Sequence, residues 1–177
     1  MNVDILKVGE LKANCYILYS KDKCLIIDPG DDEDFIISRI KELKAKPVGV
    51  IVTHHHSDHS KCAKSISDIY NIKIYSFNNL FEQEHFLDPF KFRVIYTPGH
   101  TSDSITLYFK DYGVMFTGDF LFKDDIGRTD LPTGNFNDMI KSIKKIKEYD
   151  DDITIYPGHG KKTTLGHEKD NNRNFRV

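Results

Sequence analysis

Apolar residues along this chain form short runs that alternate with stretches of helical spacing. Nine runs rich in Val, Ile, Tyr or Phe are typical of strands; they cover residues 3–8, 14–19, 24–27, 48–52, 72–75, 92–96, 104–109, 114–117 and 153–156. Three other stretches repeat apolar residues every three or four positions, which predicts amphipathic helices; they are marked by Ile36, Ile40 and Leu43, by Ala63, Ile66, Ile69 and Tyr70, and by Phe136, Met139, Ile140, Ile143 and Ile146. This alternation predicts an α/β sandwich.

Polar residues that suit helix N-caps stand near the start of each predicted helix. Asp31 or Asp32, Asp58 and Asn135 have side chains that can accept hydrogen bonds from the free N–H groups of a first helical turn. For Asp58, this structural role is an alternative to a chemical one.

Histidine and aspartate gather where four of the predicted strands end. VGVIVT leads into a His-His-His-Ser-Asp-His segment, and RVIYTPG, VMFTG and ITIYPG each lead into a single His or Asp. If these strands share one edge, seven side chains of the metal-ligand type converge there: His54, His56, Asp58, His59, His100, Asp119 and His159.

The spacing within the first segment predicts two half-sites. In extended backbone, residues two apart point to the same side, so His54 and His56 share a face and His55 points away from it. The chain then turns into the predicted helix near His59. This change of direction can bring Asp58 and His59 toward a second ion.

The donor types indicate which ions would bind. Imidazole and carboxylate without thiolate suit zinc best, and iron and manganese accept the same donors. Two divalent ions about 3.5–4 Å apart would lower the pKa of a bound water toward about 7. We therefore expect two divalent ions, Zn²⁺ with Fe or Mn as alternatives, and a metal-dependent hydrolase whose nucleophile is hydroxide.

Composition and charge narrow the class of protein further. The 177 residues fit one domain over 1–177, and 25 Lys and Arg against 27 Asp and Glu give a net charge of -2 without a basic block, so we expect no nucleic-acid partner. Charges interrupt the N-terminus and no apolar run reaches membrane-spanning length, so we expect a soluble, cytoplasmic protein without a membrane partner. The cysteines lack C-x-x-C spacing and should be buried thiols; they are Cys15, Cys24 and Cys62.

Several motifs resemble those of a known family. Thr53-His54-x-His56-x-Asp58-His59 resembles the signature of the metallo-β-lactamase superfamily, and the run from Leu25 to Gly30 is similar to an early element of the same fold. Within that superfamily, the segments TPGHT, GRTDLP, PGHG and TTLG, at residues 97–101, 127–132, 157–160 and 163–166, look like the glyoxalase II-like hydrolases.

This resemblance implies an αββα sandwich with the site at one edge between two sheets. It implies that His54, His56 and His100 bind one metal, that Asp58, His59 and His159 bind the other, and that Asp119 bridges them. Asp58 and Asp119 would also act as catalytic residues by orienting the water. The implied reaction is hydrolysis of a small-molecule thioester such as S-lactoylglutathione. Glyoxalase II carries a C-terminal helical domain, which we expect to be missing because seventeen residues follow Gly160.

Two other functions stay open at this point. A persulfide dioxygenase of the same superfamily keeps a similar histidine cluster and a Gly-Arg-Thr-Asp loop with one iron, and a non-catalytic, metal-stabilised binding module is an answer of another class. Arg128 either touches substrate or forms a salt bridge with Asp130. Lys161 and Lys162 either meet an anionic carrier or form a solvated pair. Asp28 and Asp130 are candidates to accept hydrogen bonds from the ligand imidazoles.

Overall fold

The computed structural model describes residues 1–176 and confirms the predicted α/β sandwich. The strands are β1 (Asn2–Val8), β2 (Ala13–Ser20), β3 (Lys23–Ile27), β4 (Lys46–Ile51), β5 (Ile74–Tyr75), β6 (Glu84–Leu87), β7 (Phe90–Tyr96), β8 (Ile105–Phe109), β9 (Val114–Gly118), β10 (Leu121–Phe122), β11 (Asp125–Ile126), β12 (Thr154–Pro157) and β13 (Thr163–Thr164). The α-helices are α1 (Glu33–Glu42), α2 (Ser57–Ser60), α3 (Ala63–Tyr70), α4 (Phe136–Lys147) and α5 (Leu165–Asn171).

Two sheets form the centre of the structure. The first has the strand order β1-β2-β3-β4-β5, antiparallel from β1 to β3 and parallel from β3 to β5. The second has the order β13-β12-β9-β8-β7-β6, in which β9 and β12 are parallel. Strands β10 and β11 form a separate antiparallel pair.

The side chains of the first sheet alternate between two cores, because successive strand residues point to opposite faces. Tyr16 and Leu25 belong to a core shared with the second sheet. Ile17 and Ile26 pack instead in a core with helical residues such as Ile36. A third core joins α4 to the other face of the second sheet; its members include Met115, Met139, Ile143 and Ile155. The layers therefore run helix, sheet, sheet, helix, as the family resemblance implies.

Periodicity located the larger elements and missed the small ones. Each of the nine predicted runs overlaps a strand, and the three helical stretches correspond to α1, α3 and α4. Strand β6 was missed because it is an edge strand whose side chains are exposed or half-buried, which leaves no apolar run. The remaining elements, from two to seven residues long, are too short for a periodic signal.

Only one of the predicted helix caps behaves as expected. The side chain of Asn135 accepts a hydrogen bond from the backbone N of Asp138 at 3.0 Å. Asp32 occupies the N-cap position of α1, but its carboxylate accepts from the backbone N of Gly9 at 2.8 Å. The capping role for Asp58 is wrong, because this residue lies inside the first turn of α2. Its carboxylate contacts histidine side chains instead.

Two expectations from composition can be compared with the structure. The three cysteines are free and buried, as predicted. Within residues 1–176, no helix combines the length and the apolar character that crossing a membrane requires. The longest helix, α4, has 12 residues, whereas a span needs about 20.

Candidate metal centre

The predicted meeting of the four strand ends is observed. Strand β4 of the first sheet and strands β7, β9 and β12 of the second lead into the segments that carry the seven residues. The parallel pairing of β9 with β12 ends next to Asp119 and His159. The carbonyl oxygen of Thr53 accepts a hydrogen bond from Ile105 N at 2.9 Å, which ties the segment after β4 to the second sheet.

Three histidines form what we call the first group. The ring centroids of His54 and His56 lie 4.8 Å apart, and those of His56 and His100 lie 4.7 Å apart. His56 Nδ1 lies 3.0 Å from His100 Nε2. One nitrogen from each of the three rings lies within 4.8 Å of the other two, which is a spacing that one metal ion can bridge.

Asp58, His59 and His159 form the second group. His159 Nε2 lies 3.1 Å from Asp58 Oδ2 and 3.2 Å from His59 Nε2. His59 is completely buried, whereas Asp58 and His159 are half-buried and border an open cleft. Placing Asp58 inside α2, rather than at its cap, turns its carboxylate toward the two imidazoles.

Asp119 stands between the two groups. Its Oδ1 lies 3.3 Å from His59 Nε2 in the second group, and its Oδ2 lies 3.7 Å from His100 Nε2 in the first. Gly158 permits this approach, because a Cβ added there would lie 2.1 Å from Asp119 Oδ1. The structure thus brings all seven predicted residues together.

The ring nitrogens that face away from the cluster have hydrogen-bond acceptors. His59 Nδ1 lies 3.0 Å from Asp28 Oδ2, and the same carboxylate accepts from Thr53 N and Thr53 Oγ1, both at 2.7 Å. His159 Nδ1 lies 3.2 Å from the carbonyl oxygen of Leu11. Such acceptors hold a ring proton on the outer nitrogen and turn the inner nitrogen toward the cluster, where a cation can take the place of a second proton.

One predicted acceptor is correct and one is wrong. Asp28 supports His59 as expected. Asp130 does not contact an imidazole: its two oxygens accept from Arg128 Nε and NH2, each at 2.7 Å, on the surface. The acceptor for His100 Nδ1 is the backbone carbonyl of Arg128 at 2.8 Å. The predicted salt bridge between Arg128 and Asp130 is therefore present.

Burial and nearby charge set the protonation of the cluster. Burial lowers the pKa of His54 well below its usual value, so this ring is neutral. Burial works to raise the pKa of Asp119, but the nearby charge of His59, whose Nε2 lies 3.3 Å from Asp119 Oδ1, outweighs it and holds that pKa below its usual range. Burial likewise disfavours a charged His59, yet the carboxylates of Asp119 and Asp28 raise its pKa to about 10.

Two buried atoms of the cluster show that a cation fits there. His54 Nε2 and Asp119 Oδ1 have no hydrogen-bond partner within residues 1–176. Buried polar atoms without a partner are rare and costly. A lone pair on an imidazole nitrogen and one on a carboxylate oxygen would both be satisfied by a metal ion, and seven such donors exceed the four that one tetrahedral ion takes.

A second cluster of histidine and carboxylates lies outside the seven residues, and its side chains already have hydrogen-bond partners. His167 Nε2 lies 2.6 Å from Asp124 Oδ1, and Glu168 is close to both. Glu168 already accepts from Thr163 Oγ1 at 2.6 Å, from Asp124 N at 2.9 Å and from Asn172 Nδ2 at 2.8 Å. Because its oxygens have these donors, we assign this cluster to holding α5 in place.

His55 and His85 lie outside the seven and have ordinary structural contacts. His55 is exposed, points away from the cluster and contacts the carboxylate of Asp103. His85 lies 2.9 Å from the carbonyl oxygen of Phe81. The exposed Lys162 lies over the ring of Tyr156, 5.9 Å from its centroid.

A cleft of about 470 Å³ opens beside the cluster. Five of its lining residues belong to the seven; the other four are Leu11, Ser57, Arg128 and Leu131. A cleft of this size accommodates a small organic molecule. Both groups reach its wall, the first through His56 and His100 and the second through Asp58 and His159.

The family of the chain follows from its sequence and its fold. The model of the metallo-beta-lactamase superfamily matches residues 8–83 and 77–159. The chain belongs to the metallo-beta-lactamase superfamily, and it is a hydrolase of that class.

Individual relatives agree with this assignment. The chain is 34% identical to the hydroxyacylglutathione hydrolase GloC of Haemophilus influenzae, over 97% of this chain and 97% of that protein. The BLEG-1 B3 metallo-beta-lactamase is 28% identical and superposes with a TM-score of 0.95, covering 99% of this chain and 100% of that one. The fold is also shared with TTHA1623, solved in a di-iron-bound form, at 24% identity and a TM-score of 0.90 over 97% of this chain and 99% of that one.

Proposed function

We propose that this protein is a dinuclear metal-dependent hydrolase that cleaves small thioesters of the S-lactoylglutathione type. The observation that carries the proposal is the division of seven donors into two groups of three with Asp119 in contact with both. The substrate class is supported by the relative of similar length whose name is hydroxyacylglutathione hydrolase.

Each group has a separate task in this proposal. The first group would hold one ion, the second group would hold the other, and Asp119 would lie between them. When bound, such a pair of divalent ions supplies a water whose pKa is lowered toward about 7 and a Lewis acid for the substrate carbonyl. Zn²⁺ is the ion that nitrogen and oxygen donors without thiolate favour, with Fe or Mn as alternatives.

Asp58 and Asp119 are the proposed catalytic residues. Both line the cleft, and both carry carboxylates that can accept a hydrogen bond from an attacking water and so fix its orientation. Asp119 stays ionised because His59 lowers its pKa, so it keeps its acceptor capacity.

The cleft lining favours a thioester over an amide. Apart from the seven donors, Arg128 is the only titratable residue in the described part of the chain that lines the cleft. A guanidinium does not serve as a proton donor near neutral pH. A thiol, with a pKa near about 8.5, leaves as thiolate with little proton donation, whereas an amine leaving group needs a proton.

Metal analysis combined with a substrate panel tests the proposal. The purified protein should contain close to two equivalents of Zn, Fe or Mn, and it should release thiol from S-lactoylglutathione. Chelation should abolish turnover, and added Zn²⁺ should restore it. Asp119→Ala should lower metal content and turnover together, while the matched control Asp124→Ala, at an exposed carboxylate that does not line the cleft, should leave both unchanged.

Other results would select other functions. A reproducible single iron, with oxygen uptake on glutathione persulfide and no thioester cleavage, would identify the mononuclear dioxygenase instead. Cleavage of a β-lactam without cleavage of thioesters would keep the hydrolase and reject the substrate class. A folded, fully metallated protein that turns over no substrate of the panel would favour a metal-stabilised binding module.

A further inference from the structure

The loop that carries His159 has little conformational restraint of its own. Gly158 and Gly160 flank the histidine, and Gly160 adopts a φ of 77°, in the left-handed region. Because glycine populates many backbone conformations, ordering this loop costs more entropy than ordering a loop of other residues. Contacts from outside the loop are therefore needed to hold the imidazole in one position.

Asn14, in β2 of the opposite sheet, supplies those contacts. Its Nδ2 donates to the carbonyl oxygen of Pro157 at 2.8 Å and to that of Gly160 at 3.3 Å. Its backbone N donates to the carbonyl oxygen of Gly158 at 2.7 Å. One residue thus binds three carbonyl oxygens on the two sides of His159.

Two neighbours of Asn14 bind the same carbonyl oxygens. Lys7 is paired with Asn14 across β1 and β2, and its Nζ donates to Gly160 O at 2.8 Å. The hydroxyl of Tyr16, two residues along β2, donates to Pro157 O at 2.6 Å. Residues of both strands of the β1–β2 hairpin therefore contact this loop, and they tie the first sheet to the loop that follows β12 of the second sheet.

The hydrogen bonds to the loop carbonyls determine the orientation of the Asn14 amide. Asn14 is 1% exposed, and its Oδ1 has no hydrogen-bond partner in the described part of the chain. Both Nδ2 hydrogens are used by loop carbonyls, so a flipped amide would give up those bonds. A buried acceptor without a donor is destabilising. The amide keeps this orientation because the loop carbonyls need its two donors.

We propose, on the basis of the two-ion centre proposed above, that Asn14 is a positioning residue for His159 and selectively sets the affinity of the second group for its ion. The first group takes its outer contacts elsewhere. His54 Nδ1 lies 3.2 Å from Thr53 Oγ1, and His100 Nδ1 lies 2.8 Å from the carbonyl oxygen of Arg128. Loosening the loop therefore weakens one half-site and leaves the other intact.

Stepwise metal titration of the metal-free protein tests this. Wild type, Asn14→Ala and Lys7→Met are titrated with Co²⁺ by calorimetry and visible absorption, and unfolding is followed by circular dichroism. In Asn14→Ala one of the two equivalents should keep its wild-type affinity and the affinity for the other should fall about 10- to 100-fold, the usual effect of removing a residue that orients a metal ligand. Lys7→Met, at an exposed position, should shift the same step in the same direction by less.

Asn172→Ala is the matched control, because Asn172 is another buried asparagine whose Nδ2 donates twice. Its two acceptors, Asp125 O and Glu168 Oε2, do not belong to the seven donors. It should lower thermal stability and leave both metal affinities unchanged. Equal weakening of both equivalents in Asn14→Ala, or no weakening in either hairpin variant, overturns the proposal. If Asn14→Ala does not fold, Lys7→Met decides alone. A wild type that binds fewer than two ions contradicts the two-ion centre itself, a different failure.

Discussion

Replacing Asp28 by asparagine removes one charge next to His59 of the candidate metal centre and changes the volume of the side chain very little. The Asp28 carboxylate is 1% exposed and accepts three hydrogen bonds, from His59 Nδ1, Thr53 N and Thr53 Oγ1. These contacts hold the His59 ring in the tautomer that leaves Nε2 available to the second group. We expect Asp28→Asn to weaken metal binding by the second group.

The magnitude follows from the two orientations open to the new amide. An amide nitrogen in place of Oδ1 would face the N–H of Thr53, donor against donor. An amide nitrogen in place of Oδ2 would face His59 Nδ1, which can accept only if the ring carries its proton on Nε2, toward the ion. In the first orientation His59 Nδ1 keeps only a neutral acceptor, and in the second it loses its acceptor. Both remove its hydrogen bond to a charged group, which is worth about 1.5–3 kcal/mol, or about a 10- to 100-fold loss of affinity for the ion of the second group.

Competition with a chromophoric chelator measures the two metal affinities of Asp28→Asn against wild type. Asp130→Asn is the control, because Asp130 was an expected partner of the imidazoles yet lies on the surface in a salt bridge with Arg128. Its removal should change stability little, because exposed ion pairs contribute little, and it should leave metal affinity unaltered. Unchanged affinity in Asp28→Asn, or an equal effect of the two substitutions, would refute the supporting role.

Three further outcomes are expected. His56→Ala should lower metal content and turnover at least about 10- to 100-fold, whereas His55→Ala should be nearly silent in both assays, and the reverse result would contradict the strand parity. The pKa of His59 is raised to about 10 in the metal-free protein, so metal binding near pH 8 should release its proton and the apparent metal affinity should rise with pH. Calorimetry in buffers of different ionisation enthalpy measures this proton release. A binding heat that is independent of the buffer would refute it. Discrimination among thioester carriers, measured as kcat/KM, should be weak, because Arg128, the one Lys or Arg of residues 1–176 that lines the cleft, is already paired; strong preference for glutathione would show otherwise.

The sequence by itself determined the layered fold and the location of the candidate centre. Alternating runs and helical spacing predicted the larger elements, because burial on one face leaves a periodic mark in the sequence. His54 and His56 were placed on one face and His55 on the other by strand geometry alone, and the structure agrees. A histidine or aspartate directly after an apolar strand is similarly visible without any tertiary contact.

The tertiary structure alone decided how the seven donors are supported. Of two equally plausible aspartates, only Asp28 reaches an imidazole, since that contact joins residues 31 positions apart and depends on how β3 lies beside β4. The acceptors of His100 and His159 are backbone carbonyls, of Arg128 and Leu11. Every residue has a carbonyl, so no residue type marks those positions in a sequence. Only the packing of the two sheets brings them within hydrogen-bonding distance of the rings.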